Sequence, residues 1–192
     1  ETANGTRSSP VDPAFSDLPD RFSMLGDVED LATNSQRWLN GLPTDLTDLR
    51  LTALGLMRNY PDYPGDGSLS DTISLLRVAH RAGRLDPVID AQIGRNLARA
   101  LPEEPLRLAL AEALGELAPL RVKGERSVAA YQSVLDMEAF VFMEREGRQV
   151  QRVIALTGPD TALNLLEIVQ SNEDIRRVRL IAESGGDRAA AL

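Results

Sequence analysis

Apolar residues recur at three- and four-residue steps along almost all of the chain from Val28 onward, which places them on one face of an α-helix. Alternating apolar and polar residues, the pattern typical of strands, are nearly absent. Pro, Gly, Asp and Asn interrupt the helical pattern at intervals. The pattern therefore predicts an all-α domain of seven to nine helices. We expect antiparallel helical hairpins that stack side by side, in a right-handed helical-repeat or solenoid-like bundle.

The interruptions predict where individual helices begin and end. Asp86-Pro87 is a strong start signal, because Asp is a favoured N-cap and Pro is tolerated in the first helical turn. Thr44 is the predicted cap of an earlier helix, and Gly147 is predicted to break or kink a later one. The predicted helices of the first two thirds span approximately residues 28–39, 45–60, 70–82, 87–101, 103–117 and 125–146.

The C-terminal third contains two similar segments, RVIALTGPDTALNL at residues 152–165 and RLIAESGGDRAAAL at residues 179–192. Their offset of 27 residues is in the range of stacked supersecondary repeats. Each segment predicts a helix that stops at a glycine, followed by an Asp cap and a second short helix. We therefore expect one helical domain over residues 25–188, made of a bundle at 25–120 and, at 125–188, a long helix plus the repeats.

Both ends of the chain differ from this helical region. The first residues are rich in Ser, Pro, Asp, Thr and Asn, which predicts an extended, flexible tail or linker over residues 1–24. Such a tail often follows a cleaved signal peptide or a membrane anchor, so we expect a periplasmic or otherwise exported protein, with the cytoplasm as the alternative. Residues 189–192, Ala-Ala-Ala-Leu, resemble what a cloning junction leaves, although a helical repeat also supplies such residues.

Composition and charge narrow the range of functions. The chain has 192 residues, and its 29 acidic and 21 basic side chains give a formal charge of −8, which argues against nucleic acid as a partner. No apolar run is long enough to span a bilayer. With no cysteine and one histidine, the sequence excludes disulfides, thiol catalysis and cysteine-ligated metals, and we expect no metal and no cofactor.

Two features of the sequence are candidate chemical sites. His80 is the only imidazole, and no nucleophile motif accompanies it, so we interpret it as a partly exposed structural residue. Asp62, Asp66 and Ser68 offer oxygen atoms to calcium in the segment NYPDYPGDGS. Their spacing departs from that of a calcium loop, and an ordinary surface loop is the favoured interpretation.

The residues that favour partner binding lie in that loop and in the C-terminal third. The loop holds two tyrosines. Arginine supplies nearly all of the positive charge of the chain, and arginines make the C-terminal third comparatively basic. Arginine clusters dock acidic partners or anionic headgroups, although the acidic residues among these arginines also fit a solvated face of mixed charge. The candidate partner-binding residues are Tyr60, Tyr63, Arg145, Arg148, Arg152, Arg176 and Arg177.

These observations favour a non-enzymatic helical scaffold or adaptor that binds another protein. By analogy of architecture alone, we expect it in a bacterial envelope assembly of the secretion or motility type, where a membrane-embedded complex is one candidate partner. A second copy of the same chain is a further candidate partner. The alternatives are the soluble domain of a membrane-associated protein and, in a different class, a hydrolase that works with a pair of carboxylates.

Overall fold

A computed structural model describes residues 24–61, 63–65 and 69–185, and this part of the chain is built from nine helices without any strand. The all-α prediction is therefore confirmed. The predicted tail up to residue 23, the calcium candidates Asp62, Asp66 and Ser68, and residues 189–192 lie outside the described residues. The helices are α1 (Met24–Leu39), α2 (Leu46–Met57), α3 (Ser70–Arg81), α4 (Pro87–Ala100), α5 (Glu103–Gly115), α6 (Leu120–Ser133), α7 (Met137–Thr157), α8 (Pro159–Ile168) and α9 (Asn172–Gly185).

Helix α2 lies at the centre of the bundle. Every residue from Leu49 to Met57 is buried, including Arg50 and Thr52, and a helix buried on all sides needs neighbours on all sides. Helices α1, α3, α4 and α6 supply them. Its N-cap is Asp45, whose Oδ1 accepts a hydrogen bond from the Asp48 N–H at 3.0 Å, rather than the predicted Thr44.

Two hydrophobic clusters meet beside α2. The larger cluster joins α1, α2, α5 and α6 with residues of α3, α4 and α7, and it includes the fully buried Tyr131 of α6 and Phe140 of α7. The smaller cluster joins α3, α4, α7 and α8 through residues such as Leu75. Leu76 of α3 and Ile93 of α4 are half-buried and pack against both clusters. The seam between the clusters therefore runs along α3 and α4.

Helices α1 and α6 approach each other closely although they are far apart in sequence. A Cβ atom built on Gly124 would lie 2.3 Å from Val28 Cγ1 and 2.4 Å from the Val28 backbone oxygen, so only glycine permits this contact. Two helical turns further along both helices, Ser35 Oγ and the Tyr131 hydroxyl are 3.3 Å apart. Burial raises the pKa of Tyr131, so its hydroxyl stays protonated and able to donate this hydrogen bond.

The order of helix contacts does not confirm the expected side-by-side stack. In a solenoid each repeat contacts only its sequence neighbours. Here α1 packs against α6, α4 against α7, and α3 against both α7 and α8. The described part of the chain is a bundle in which contacts between distant segments organise the core.

The 27-residue repeat is not confirmed within the described residues either. Val153 and Ile154 of the first segment are buried in the core. The matching Leu180 and Ile181 of the second segment are exposed on α9. Residues that match in sequence therefore occupy different environments, and the second segment from residue 186 onward lies outside the description.

The prediction of one long helix over 125–146 is wrong. Two helices, α6 and α7, occupy this stretch and are separated at residues 134–136. Asp136 makes the break, because its carboxylate accepts a hydrogen bond from the Ala139 N–H at 2.9 Å and caps α7. The Asp136 N–H in turn donates to the Ala100 carbonyl oxygen at the end of α4, at 2.8 Å.

Gly147 does not break α7, contrary to prediction, because the helix continues through it to Thr157. The glycine instead admits Leu69, whose Cδ2 would lie 2.7 Å from a Cβ at this position. The stop at Gly158 is confirmed. Its φ of +79° is a left-handed conformation that favours glycine, and its N–H donates to the Ile154 carbonyl oxygen at 2.8 Å.

We predict that Gly124→Ala destabilises the domain by about 1–3 kcal/mol, because the added methyl group forces α1 and α6 apart. The measurement is the free energy of unfolding from urea titration. Gly26→Ala is the matched control. It makes the same change in a helix with no atom within 4 Å of the new Cβ, and alanine should raise the stability there by up to about 1 kcal/mol. Equal effects of both changes would contradict the close packing.

Candidate partner-binding surface

The solvent-facing side of α7 carries a continuous stripe of exposed side chains. Positions that lie three or four residues apart along this helix fall within about 80° of one another around its axis and extend over about 22 Å. The opposite side of α7 packs into the core through residues such as Phe140 and Val150. We call the exposed set the α7 stripe, and it consists of Met137, Val141, Arg145, Arg148 and Arg152.

The α7 stripe is apolar at its N-terminal end and basic at its C-terminal end. Met137 and Val141 are 47% and 55% exposed, and the neighbouring Phe142 is 45% exposed. Phe140, two residues earlier on the helix, is fully buried. Large apolar side chains on consecutive turns of one exposed helix face are typical of a surface that is covered by another molecule.

A surface groove borders the apolar end of the stripe. It lies between α4 and α7, has a volume of about 440 Å³, and is lined by both apolar and charged side chains. Phe142 and Glu138 line it from α7, and Asn96 and Arg99 line it from α4. The stripe and the groove together make one irregular face with room for an inserted side chain.

Four of the five arginines of the predicted basic cluster are paired with acidic side chains of α7 and α9. Arg148 lies 3.4 Å from Glu144, and Arg152 lies 3.5 Å from Glu183 on α9. Arg145 makes no salt bridge to any described residue. The two arginines at the start of α9 pair with several carboxylates, at distances of 3.5–3.9 Å: Arg176 with Glu146 and Glu173, and Arg177 with Glu173 and Asp174.

The structure separates the predicted tyrosines from the predicted arginines. Tyr60 and Tyr63 are half-buried and pack against the larger hydrophobic cluster. The Tyr63 ring meets the Phe140 ring edge-to-face, with centroids 5.9 Å apart. Phe140 belongs to the buried side of α7, whereas Arg145 and Arg152 belong to its exposed side. The tyrosines therefore serve mainly as packing between the loop and the core.

His80 is held between two carboxylates. Its Nδ1 lies 2.6 Å from Asp90 Oδ1, and its Nε2 lies 2.7 Å from Asp45 Oδ2. A carboxylate only accepts hydrogen bonds, so both ring nitrogens must donate and the imidazole must carry a charge. In this arrangement neither nitrogen has a free lone pair for general-base chemistry or for a metal. His80 instead links the C-terminal turn of α3 to the N-terminal ends of α2 and α4.

The surroundings of His80 shift the pKa values of the imidazole and of one of its partners. Burial alone would lower the pKa of His80, but the hydrogen bonds to Asp90 and Asp45 outweigh burial and raise it. For Asp45, burial would raise the pKa. The hydrogen bonds from the Asp48 N–H and from His80 outweigh that effect and lower the pKa of Asp45. Both shifts favour the charged forms that the geometry requires.

A second charged cluster lies next to His80, between α1, α2 and α3. Arg77 is buried, with its guanidinium 3.3 Å from Asp27 Oδ1 and 3.4 Å from Asp48 Oδ1. Arg81 also donates to Asp48, with Nη2 2.8 Å from Oδ2. Burial raises the pKa of Asp27 against the opposing influence of Arg77. These ion pairs hold α1, α2 and α3 together, because Arg77 and Arg81 of α3 bind carboxylates of α1 and α2.

Residues 24–61, 63–65 and 69–185 contain no group of three or more acidic or histidine side chains that could hold a metal ion. Within the same ranges, no helix combines the length and the apolar content needed to cross a membrane. Comparison with protein-family models, with curated proteins and with solved structures finds no match to this chain.

Sequence reasoning missed the apolar half of the α7 stripe. The sequence pattern places Met137 and Val141 in a single predicted helix over 125–146, with Val141 as a core candidate. Once α7 begins at Met137, the exposure of both side chains follows from the burial of Phe140 and Val150. The signal that could have located the start of α7 is Asp136, followed three residues later by the Ala139 N–H that it caps.

We predict that His80→Gln lowers the stability of the domain in a pH-dependent way. The pKa of His80 is raised above 6.5, so its contribution is complete below pH 6.5 and is lost as the pH rises through its value in the folded protein. The pKa of Asp45 is lowered below 3.8, so its contribution is present above pH 3.8 and is lost in stronger acid.

Urea unfolding of the protein and of His80→Gln across this range measures the effect. The difference in unfolding free energy should be largest between about pH 4 and pH 6.5 and should shrink at higher pH. Asp160→Asn, at an exposed position in the first turn of α8, is the control for loss of a single charge near a helix terminus. A difference for His80→Gln that stays constant from about pH 5 to pH 9 would refute the paired-carboxylate arrangement.

Proposed function

We propose that this domain is a non-enzymatic helical scaffold or adaptor that binds a partner protein through the α7 stripe and the adjoining groove. The observation that carries the proposal is the exposure of Met137, Val141 and Phe142 beside Arg145 on a helix whose other face is anchored in the core. A rigid helix with a preformed face binds without paying the entropy of ordering a loop.

The composition of the α7 stripe resembles that of protein interfaces. Arginine, methionine and aromatic residues are enriched at the centres of such interfaces, whereas lysine and glutamate are depleted. The stripe has Met137, Phe142 at its edge and three arginines, and the only lysine of the chain, Lys123, lies on α6. This supports a protein partner over an unspecific charged surface.

The partner chemistry follows from the two halves of the stripe. Val141 and Phe142 fit an apolar side chain, and the arginines fit carboxylates on the same partner segment. Arg145 makes no salt bridge to a described residue, and the Arg152–Glu183 pair joins two exposed side chains, so that pair contributes little stability. Arg145 and Arg152 are therefore available to carboxylates of another protein at small cost, whereas Arg148 stays with the buried Glu144.

Broader parts of the proposal rest on architecture and on the sequence. We place the protein in a bacterial envelope assembly of the secretion or motility type, exported to the periplasm, with a membrane-embedded complex as one candidate partner. We also propose that neighbouring helices within the bundle pair as antiparallel hairpins. Four residues outside the α7 stripe are proposed to add contacts with the partner: Tyr60, Tyr63, Arg176 and Arg177. A second copy of the chain is also a candidate partner.

We predict that charge reversal of the stripe abolishes partner binding without unfolding the domain. The variant is Arg145→Glu with Arg152→Glu, which replaces attraction to an acidic partner with repulsion and leaves the Arg148–Glu144 pair intact. Tagged protein and variant are expressed in the native organism, and the proteins retained by each are quantified. We expect at least one protein, present in stoichiometric amount with the unaltered chain, to fall by more than about tenfold with the variant.

Arg121→Glu with Arg126→Glu is the matched control, because Arg121 is exposed and Arg126 is half-exposed on α6, and each forms a surface salt bridge. This control should retain the same partner as the unaltered chain. Circular dichroism confirms that each variant stays helical. Equal recovery of every partner by the stripe variant and by the unaltered chain would refute the proposal.

A further inference from the structure

An apolar pocket lies at the seam between the two hydrophobic clusters, and Asn96 lines both this pocket and the groove beside the α7 stripe. It has a volume of about 100 Å³ and is lined by residues from α2, α3, α4, α7, α8 and α9. Its deepest wall contains Leu54, Leu97 and Phe140, which are at most 2% exposed. The smaller cluster contributes Ile89 and Val150. Helices from both clusters therefore leave this space unfilled between them.

The rim of the pocket is half-buried and includes three carboxamides. Gln92, Asn96 and Asn172 line it, together with Glu146. The Gln92 amide donates to Asn96 Oδ1 at 3.1 Å, which leaves the Asn96 amide N–H groups without an acceptor among the described residues. The side-chain amide of Asn172 has no acceptor among the described residues either. The rim thus offers hydrogen-bond donors above an apolar floor.

The polar groups of the deeper wall are satisfied elsewhere. The Thr72 hydroxyl lies 3.1 Å from Gln151 Oε1, and the Gln151 amide donates to Asp71 Oδ2 at 3.1 Å. Glu146 lies 3.5 Å from Arg176, so its charge is already compensated. Water in the deep part of the pocket would find few hydrogen-bond partners, and apolar cavities of this kind stay dry and take up apolar molecules.

We propose that this pocket binds a small neutral ligand, with an apolar body of about one aromatic ring and one hydroxyl or carbonyl oxygen. An apolar cavity of about 150 Å³ in another protein binds benzene, so the present volume is in the range of a single ring. The apolar body lies against Leu54 and Phe140, and the oxygen accepts hydrogen bonds from Asn96 and Asn172. An anion is disfavoured, because the apolar walls of the pocket cannot replace its hydration.

The test uses benzyl alcohol as the probe and the methyl resonances of the pocket as the readout. In ¹H–¹³C spectra, saturable shifts are expected for the methyl groups of Leu54, Ile73 and Ile175, and not for those of the exposed Leu108 on α5. Benzoate, which has the same ring with an anionic group, should bind at least about tenfold more weakly. Equal binding of benzoate would overturn the assignment of a neutral ligand.

Filling the pocket should abolish binding. Ile93→Phe and Leu76→Phe each place a ring into the pocket from a half-buried position, and either variant suffices if the other fails to fold. Leu108→Phe makes the same kind of change at an exposed site and should leave binding unaltered. We expect the filled variants to weaken benzyl alcohol binding by at least about tenfold. An absence of saturable shifts in the unaltered protein, or unchanged binding in a folded filled variant, would overturn the proposal.

Discussion

The complete burial of α2 is the constraint on which the rest of the bundle depends. A helix with every residue from Leu49 to Met57 buried must be surrounded, and α1, α3, α4 and α6 surround it. Two of these neighbours come from distant parts of the sequence, so the chain cannot build its core from adjacent hairpins alone. Glycine at position 124 allows α6 to approach α1 closely enough to close the bundle around α2. Helix α7 packs outside this shell, against α3, α4, α8 and α9, and so keeps one face exposed to solvent.

Charged side chains at helix ends fix the neighbours of α2 in position. Asp45 caps α2 with one carboxylate oxygen and accepts a hydrogen bond from His80 with the other. Arg77 joins Asp27 of α1 to Asp48 of α2 from its place on α3. Carboxylates at helix N-termini and cations near a helix C-terminus also complement the helix dipoles. His80 and the buried Arg77 therefore have structural roles, because each holds neighbouring helices together through carboxylates.

The sequence predicted the helical class and several helix ends correctly, because those depend on local signals. The N-cap Asp86 and the stop at Gly158 are examples, since each is recognised from its own residue type and immediate neighbours. The break before α7 was missed because the apolar spacing runs through it, and the Asp136 N–H is held by the Ala100 carbonyl oxygen, far away in sequence. The role of Gly147 depends on Leu69 in the same way. The basic half of the candidate surface was predicted from composition, whereas its apolar half required the knowledge of which side of α7 faces the core.

Helix α7 therefore packs against the core on one side and faces solvent on the other. Its exposed side is apolar toward the N-terminus and basic toward the C-terminus. The central claim is that this side contacts another protein in the cell, and site-specific photo-crosslinking tests it most directly. A benzophenone amino acid at position 141 on the α7 stripe is compared with the same amino acid at position 108, which is also exposed but lies on α5. We expect irradiation of living cells to give a discrete covalent adduct from position 141 and none from position 108. An absence of adduct at 141, or the same adduct from both positions, would contradict the account.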